Sequence, residues 1–152
     1  MINKLGFGFL RLPKKDGELD WQTICSMVDV FMDGGGVFFD TCYTYLNGLS
    51  EAAIRKCVVE RKHRDSFQLC DKLPGYLFKN YEDCQKYFDE ELSRCGVEWF
   101  DILMLHWLND ENYAIHFMLL FLFGSWVQPR NTVLRTQSFH TVLRVLFAPY
   151  AE

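Results

Sequence analysis

Apolar residues occur with two different spacings along the first two thirds of the chain, and the spacing predicts strands that alternate with helices. Short apolar runs, which are typical of strands buried on both faces, cover residues 5–12, 37–40, 67–72 and 100–106. Between these runs, apolar residues three or four positions apart predict helices at about residues 21–33, 51–60 and 81–95. Such an alternation favours a parallel sheet with right-handed crossover connections.

Polar residues and glycines at the ends of the predicted helices support these boundaries. Asp20, Ser50 and Asn80 each precede a helical stretch, and a side-chain oxygen at that position can accept from the free N–H groups of the first turn. The run 34–36 of three glycines follows the first helix, and Gly96 follows the third. Glycine is typical of helix C-termini, so we expect these helices to end there.

The character of the chain changes after residue 106. Residues 114–127, AIHFMLLFLFGSWV, are nearly all apolar, and their apolar positions cover every face of a helix. The segment is shorter than the roughly 20 residues that a helix needs to cross a bilayer. A fully buried helix, an interfacial segment and sequence never selected to fold all agree with it. Residues 128–152 predict no clear element, and we treat 113–152 as a divergent apolar tail.

The composition of the 152-residue chain is that of a folded protein, with 49% hydrophobic and 24% charged residues. This composition excludes a disordered or collagen-like chain. The formal net charge is −4, from 16 basic and 20 acidic residues, so no basic surplus favours nucleic acid or an anionic membrane. We expect neither nucleic acid nor membrane as a partner.

The spacing of the six cysteines predicts free thiols. No two of them form the C-x-x-C pair of a structural zinc site or an iron–sulfur cluster; they stand at positions 25, 42, 57, 70, 84 and 95. The N-terminus, MINKLGFGF, lacks the apolar core of a signal peptide. We therefore expect a cytoplasmic protein with reduced cysteines and no bound metal.

Three of the predicted strands end in an ionisable residue: Asp40, Lys72 and His106. Central strands of a parallel sheet do not need charge, and burying an unpaired charge is unfavourable. The carboxyl ends of such strands are also where α/β folds place their ligands. The pattern alone leaves two interpretations open, a catalytic cluster at one sheet edge or three solvated strand ends.

The residues around these strand ends resemble the aldo-keto reductase family. The resemblance rests on LGFGFLRLP, FFDTCYTYLNGLSE, DKL and DILMLHW and covers roughly residues 4–112. In the family the second strand ends in a D-T-A-x-x-Y-G-x-S-E pattern, which this chain keeps with Cys42 in the alanine position. The flanking DILMLHWLNDENY most resembles bacterial members with a further iron–sulfur segment at a distant C-terminus, which this sequence lacks.

The resemblance implies a catalytic tetrad of Asp40, Tyr45, Lys72 and His106. Reduction of a carbonyl needs a hydride at carbon and a proton at oxygen, and Tyr45 is implied as the proton donor. A tyrosine pKa near 10 is high for this work, and a Lys72 ammonium held by Asp40 favours the phenolate and lowers that pKa. A neutral His106 would donate a hydrogen bond that orients the carbonyl. The hydride would come from a nicotinamide cofactor, usually NADPH in this family, with NADH as the alternative.

Other residues of the same stretches are weaker candidates for the site. The resemblance places Phe9, Leu10 and Arg11 beside the nicotinamide together with Asp40, whereas Gly6-x-Gly8 is no dinucleotide fingerprint, since Arg11 takes the third glycine position. We interpret Tyr43 as packing or loop surface, His63 as exposed loop, and Asp71 as a solvated residue or a local partner of Lys72. Cys42 and Cys70 could lie near the site, and we interpret them as packing residues and not as redox groups. Two further histidines, His116 and His140, lie in the tail without metal-ligand spacing.

The family fold is an eight-stranded (β/α)8 TIM barrel of about 250 residues, and this sequence predicts only about four βα units of it. We therefore expect residues 1–112 to form the N-terminal part of such a barrel, incomplete and with open sheet edges. The family would continue with a charged amphipathic helix, so a shifted reading frame after about Ile115 or a partly disordered segment accounts for the tail at 113–152.

Two classes of function agree with this sequence. The first is an NADP(H)-dependent oxidoreductase that reduces an aldehyde or ketone, with a homo-oligomer formed through the open barrel edges. The second is a truncated, catalytically inactive barrel fragment, or a binding module that uses its apolar tail. Turnover of a simple aldehyde that depends on Tyr45 discriminates between them.

Overall fold

The computed structural model describes residues 5–108, 133–138 and 142–145. Its helices are α1 (Trp21–Asp33), α2 (Leu49–Ile54) and α3 (Tyr81–Cys95). Its strands are β1 (Gly6–Gly8), β2 (Lys14–Lys15), β3 (Glu18–Leu19), β4 (Phe38–Asp40), β5 (Gln68–Leu73), β6 (Ile102–Leu108), β7 (Val133–Ser138) and β8 (Val142–Val145). Short 3₁₀ turns lie at Tyr45–Gly48, Arg64–Ser66 and Gly75–Leu77, and a π-helical turn at Arg55–Val59 continues α2.

Local signals set the ends of α1 and α3 where the sequence predicts them. The Asp20 carboxylate accepts from the Thr23 N–H, and the Asn80 side chain accepts from the Asp83 N–H. Gly96, with φ +70°, takes the left-handed conformation that ends α3, and its N–H donates to the Leu92 carbonyl. The predictions for these two helices are confirmed.

The predicted cap of the second helix is wrong. Gly48 precedes α2 without a side-chain cap, and Ser50 lies inside the helix, fully buried. Its hydroxyl donates to the Phe9 carbonyl at 2.9 Å and lies 2.6 Å from the Thr41 hydroxyl. Tertiary partners on two other segments therefore hold Ser50, in place of the N–H groups of its own helix.

Six strands form one sheet in the spatial order β1-β4-β5-β6-β7-β8. Every neighbouring pair is parallel except β7 and β8. Among the described strands, β1 and β8 lie at opposite edges, so the sheet is open and the predicted incomplete α/β barrel is confirmed. The structure adds the hairpin of β2 and β3, which the sequence analysis did not predict, and places β7 and β8 in a stretch for which it predicted no clear element.

An aromatic cluster joins the sheet to the helices. The Phe39 ring of β4 is fully buried, and its centroid lies 5.3 Å from that of Phe31 on α1. Phe7, Phe9 and Phe67 surround it with centroids 6.0–6.1 Å away, in edge and tilted arrangements that aromatic rings prefer. Since successive strand residues point to opposite faces, Phe39 on the helix side leaves Asp40 on the other face.

The six cysteines are free thiols, of which five are buried and Cys25 is half-buried. Within the described residues, no helix combines the length and the apolar character that crossing a membrane requires.

Candidate active site

Four ionisable or aromatic side chains meet at the carboxyl-terminal edge of the sheet. Asp40 ends β4, Lys72 lies near the end of β5, and His106 lies near the end of β6. Tyr45 begins the 3₁₀ turn that follows β4. In the strand register Asp40 pairs with Cys70, and Lys72 pairs with Met104, two residues before His106. The alternation of strand residues therefore puts Asp40, Lys72 and His106 on the same face.

The Lys72 ammonium is the most enclosed charge of this group, with 3% of the residue exposed. Its Nζ donates to both Asp40 carboxylate oxygens, at 2.7 and 2.6 Å, and to the Thr41 carbonyl at 2.8 Å. Burial disfavours the ammonium, but the charge of Asp40 and the bonds to it outweigh burial, and the pKa of Lys72 is raised. Lys72 is therefore a fixed positive charge at neutral pH.

The Tyr45 ring lies beside that charge. Lys72 Nζ is 4.9 Å from its centroid, a cation–π distance, and the His106 ring is 5.7 Å away at 84°. Burial raises the pKa of the Tyr45 phenol, and the Lys72 charge lowers it by less. The expected effect of Lys72 on the pKa is thus present, but the expected net lowering is wrong, because desolvation is the larger effect.

A bulge in β6 lies directly beside His106. Regular pairing with β7 stops at Leu105 and resumes at Leu108, and Trp107 between them has φ +64°. The alternation up to Leu105 puts His106 on the face of the site, and the bulge changes the register beyond it. His106 Nδ1 lies 3.1 Å from Cys42 Sγ. Burial and the Lys72 charge lower the pKa of His106, so its imidazole is neutral at pH 7.

The loop that carries Tyr45 is strained and firmly anchored. Leu46 and Asn47 have φ of +51° and +56°, which non-glycine residues rarely adopt, and Gly48 follows with φ +86°. The two ends of the loop are joined by the hydrogen bond between the Thr41 and Ser50 hydroxyls at 2.6 Å. The T and S of the sequence pattern therefore have a structural role in fixing the turn.

The residues near β1 that were predicted to lie beside the nicotinamide differ in their exposure. Leu10 is 43% exposed and Arg11 is exposed, both just beyond β1. Phe9 is fully buried in the aromatic cluster, so its side chain faces the core. Gly8 pairs with Asp40 across the strands, and a Cβ there would meet no atom within 4 Å. Open space therefore adjoins Asp40 on the Gly8 side.

Four interpretations of neighbouring residues can be compared with the structure. Tyr43 packs on α3, where its hydroxyl donates to Glu90 at 2.7 Å, and His63 is exposed, both as expected. Cys70 is a buried packing residue. Asp71 is fully buried and accepts from the Lys72 N–H at 2.8 Å, so its interpretation as a local partner is confirmed and the solvated alternative is wrong. His116 and His140 lie outside the described residues.

The sequence analysis missed three residues around His106. Cys42 is fully buried, as its interpretation as a packing residue requires, but its thiol contact with the imidazole was not predicted. Tyr76 and Trp107 are 38% and 63% exposed, and their ring centroids lie 6.1 and 6.5 Å from that of His106. Their own centroids are 5.7 Å apart, so the two rings form an aromatic wall beside the imidazole. The sequence signal for the wall was the presence of aromatic residues shortly after the predicted strand ends at Lys72 and His106.

Comparison with known protein families identifies the family of this chain. The profile of the aldo/keto reductase family matches residues 4–133, most of the chain. The chain belongs to the aldo/keto reductase family. The match confirms the resemblance and extends it from residue 112 to residue 133, into the segment that was interpreted as a divergent tail.

Curated relatives of this aldo/keto reductase chain are distant in sequence. A putative aryl-alcohol dehydrogenase of Saccharomyces cerevisiae is 27% identical over 105 residues, which cover 60% of this chain and 50% of that protein. A norsolorinic acid reductase of Aspergillus flavus is 26% identical over 103 residues, covering 59% of this chain and 26% of that protein. The chain spans half or less of the length of these relatives.

Solved structures confirm the fold of this aldo/keto reductase chain. A thermostable aldo-keto reductase bound to the inhibitor epalrestat superposes with a TM-score of 0.72 at 18% identity, over 91% of this chain and 50% of that one. An aldo-keto reductase from Klebsiella pneumoniae in complex with NADPH gives 0.65 at 17% identity, over 88% and 44%. At this level of identity the likeness speaks for the barrel fold alone.

Proposed function

We propose that this chain carries the catalytic residues of a nicotinamide-dependent reductase, which converts an aldehyde or ketone to an alcohol. The observation that carries the proposal is the meeting of Asp40, Tyr45, Lys72 and His106 at one sheet edge. Two of these, Lys72 and Asp40, are bonded at 2.6–2.7 Å, and the Lys72 charge lies 4.9 Å from the Tyr45 ring. Membership of the family supports the same chemistry.

Each residue of the four has a task that its surroundings support. Tyr45 has a raised pKa, so its phenol is protonated at neutral pH and can give its proton to the carbonyl oxygen. The Lys72 ammonium stabilises the phenolate left behind, and Asp40 holds Lys72 charged and in place. His106 is neutral, so one ring nitrogen can donate to the carbonyl oxygen and orient it.

The described residues fit the reactive end of a nicotinamide cofactor, which supplies the hydride to the carbonyl carbon when bound. The fit rests on the open space beside Gly8, which lies next to Asp40, and on the exposed side chains of Leu10 and Arg11 beyond β1. Leu10, Arg11 and Asp40 would line this end, with Phe9 supporting them from the core. We propose NADPH as the donor, with NADH as the alternative.

The aromatic wall of Tyr76 and Trp107 narrows the proposed substrate class. Two exposed rings beside His106 offer apolar contact area next to the reacting carbonyl. We therefore place aromatic or other apolar aldehydes ahead of small polar ones. Tyr76→Ala should raise the KM for benzaldehyde several-fold more than the KM for propanal. Equal changes for both substrates would contradict the assignment of Tyr76 to the wall.

The experiment that tests the proposed function compares two tyrosines two positions apart. NADPH oxidation with benzaldehyde should fall by about 10²–10⁴-fold in Tyr45→Phe, the range typical of a lost general acid. Tyr43→Phe is the matched control, because the Tyr43 hydroxyl bonds to Glu90 on α3 and faces away from the site. A folded chain with no turnover would favour the catalytically inactive alternative, and equal activities in both variants would contradict Tyr45 as the proton donor.

The open edges of the sheet lead to a separate prediction about the oligomeric state. Among the described strands, β1 and β8 each have an unpaired edge, and strand edges favour pairing with another chain. We propose a homo-oligomer formed through these edges. A concentration-independent monomer in size-exclusion chromatography would contradict it.

A further inference from the structure

A second group of ionisable side chains lies on the opposite face of the sheet from the proposed active site. Asp71 precedes Lys72 in β5, so its side chain points to the helix layer. There it meets Glu51 of α2 and Cys95 of α3, and Glu91 lies one helical turn before Cys95 on the same face of α3. All four side chains are fully buried, and the proposed reductase mechanism uses none of them.

Three of these residues lie close enough to share one ligand. Ligand atoms of Glu51, Asp71 and Cys95 all lie within 4.8 Å of one another. The Cys95 thiol donates to Asp71 Oδ2 over 3.4 Å. The other oxygen of Asp71 accepts from the Lys72 N–H at 2.8 Å, and Glu51 Oε2 accepts from Arg94 at 3.0 Å. Glu51 is thus oriented by a bond through one oxygen, and Asp71 by bonds through both.

Glu91 provides the second, independent observation. It is 0% exposed, and neither of its carboxylate oxygens has a hydrogen-bond partner in the described part of the chain. Glu51 Oε1 is also buried without a partner. Buried carboxylate oxygens are normally paired, because an unpaired polar group in an apolar environment is strongly unfavourable. Glu51 belongs to the group of three and Glu91 lies one helical turn from Cys95, so these unpartnered oxygens indicate an additional partner.

The charge of the cluster indicates that the additional partner is positively charged. Three carboxyl groups and a thiol lie near two cations, and both are already bonded: the Arg94 guanidinium to Glu51 and the Lys72 ammonium to Asp40. Burial and mutual repulsion raise the pKa values of Asp71, Glu51 and Glu91. Protonation would remove the charge, and a metal-free cluster could pair its oxygens only by sharing protons between carboxyl groups. A cation satisfies both the charge and the unpartnered oxygens.

We propose that Glu51, Asp71, Glu91 and Cys95 form a structural site for a divalent cation of the zinc class. Carboxylates together with a thiol are a ligand set that Zn²⁺ accepts and that the harder Mg²⁺ and Ca²⁺ do not prefer. Zn–S and Zn–O bonds of about 2.3 and 2.1 Å at a tetrahedral angle put sulfur and oxygen roughly 3.6 Å apart. The 3.4 Å between Cys95 Sγ and Asp71 Oδ2 agrees with this separation.

The test uses cobalt as a spectroscopic probe of a thiolate-bound metal. The full chain is stripped with a chelator, loaded with Co²⁺ or Zn²⁺, dialysed, and measured for metal content by mass spectrometry. We expect an equimolar amount of metal and a near-ultraviolet charge-transfer band from thiolate to cobalt. Both should be lost in Cys95→Ser and retained in Cys84→Ser, a matched control with a buried cysteine on the same helix outside the cluster.

Glu91→Gln keeps the shape and the thiol, and serves where Cys95→Ser fails to fold. It should weaken zinc binding at least tenfold and abolish the rise in unfolding temperature that zinc gives the parent chain. A chain that takes up no metal and gains neither structure nor thermal stability with zinc overturns the proposal, whether it is folded or not. So does a cobalt band that Cys84→Ser removes and Cys95→Ser leaves. None of these readouts depends on reductase activity.

Discussion

Asp40→Asn should destabilise the chain in a way that depends on pH. The substitution keeps the size of the side chain but removes the negative charge that accepts two bonds from Lys72 Nζ. Only 4% of the Lys72 side chain and 29% of the Asp40 side chain are exposed. The variant would therefore leave a nearly buried ammonium with the Thr41 carbonyl as its remaining strong acceptor.

The magnitude follows from the burial of the pair. Removing one partner of a fully buried ion pair costs about 3–5 kcal/mol of unfolding free energy. Because Asp40 is partly exposed and the Thr41 carbonyl remains, we expect about 2–3 kcal/mol at pH 7. Asp29→Asn is the control, since Asp29 also accepts from two cations, Arg61 and Lys62, but at the surface. Its loss of stability should be clearly smaller.

The pH dependence provides the sharper test. In the parent chain the pKa of Lys72 is raised above its unfolded value, so the stability from the pair is present below about pH 10.5 and lost above it. In Asp40→Asn, burial is left as the main effect and lowers that pKa, so the variant regains stability as pH rises towards 10.5. The difference between the two proteins should narrow from pH 7 to pH 10. Urea denaturation followed by tryptophan fluorescence measures it, and a constant or widening difference would refute the reasoning.

Two further predictions concern the core and the acidic cluster. Phe39→Ala should lower the unfolding free energy by about 3–5 kcal/mol, because it empties the centre of the aromatic cluster. A loss below about 1 kcal/mol in urea denaturation would contradict that packing. Burial raises the pKa of Asp71 to about 7, so in chelator the stability should fall as pH rises from about 4 to 7, and Asp71→Asn should flatten this slope. Stability that is unchanged over this range would show that Asp71 is not protonated in the folded chain.

The parts of the fold that the sequence could predict rest on local interactions. The side chains of Asp20 and Asn80 bond to N–H groups three residues later, so the ends of α1 and α3 are set within the helices themselves. The strand ends at Asp40, Lys72 and His106 follow from short apolar runs in order. The resemblance then supplied Tyr45 as their partner, and the structure brings all four to one edge.

The parts that the sequence could not predict depend on contacts between distant residues. Ser50 has the residue type of a cap, but its partners Phe9 and Thr41 belong to other segments. The bulge at Trp107 and the contact of His106 with Cys42, 64 positions away, leave no periodic pattern. The acidic cluster likewise draws on α2, β5 and α3, so no metal-ligand spacing appears in the sequence and a metal-free protein was expected.

The direction of the pKa shift of Tyr45 could not be predicted from the sequence either. Its neighbour Lys72 could be predicted, whereas the extent of its burial could not, and burial sets the net direction of its pKa shift. A raised pKa suits a group that must hold its proton until the carbonyl oxygen accumulates charge. The lowering by Lys72 then acts on the phenolate as it forms.

Transfer of deuterium from labelled NADPH to an aldehyde tests the central claim most directly. The purified full chain is incubated with benzaldehyde and NADPH deuterated at the transferred position of the nicotinamide, and the alcohol is analysed by mass spectrometry. We predict benzyl alcohol with deuterium at the carbinol carbon from the parent chain and from Tyr43→Phe, with little or none from Tyr45→Phe. No labelled alcohol from the folded parent chain, or the same labelling from Tyr45→Phe, would contradict the account.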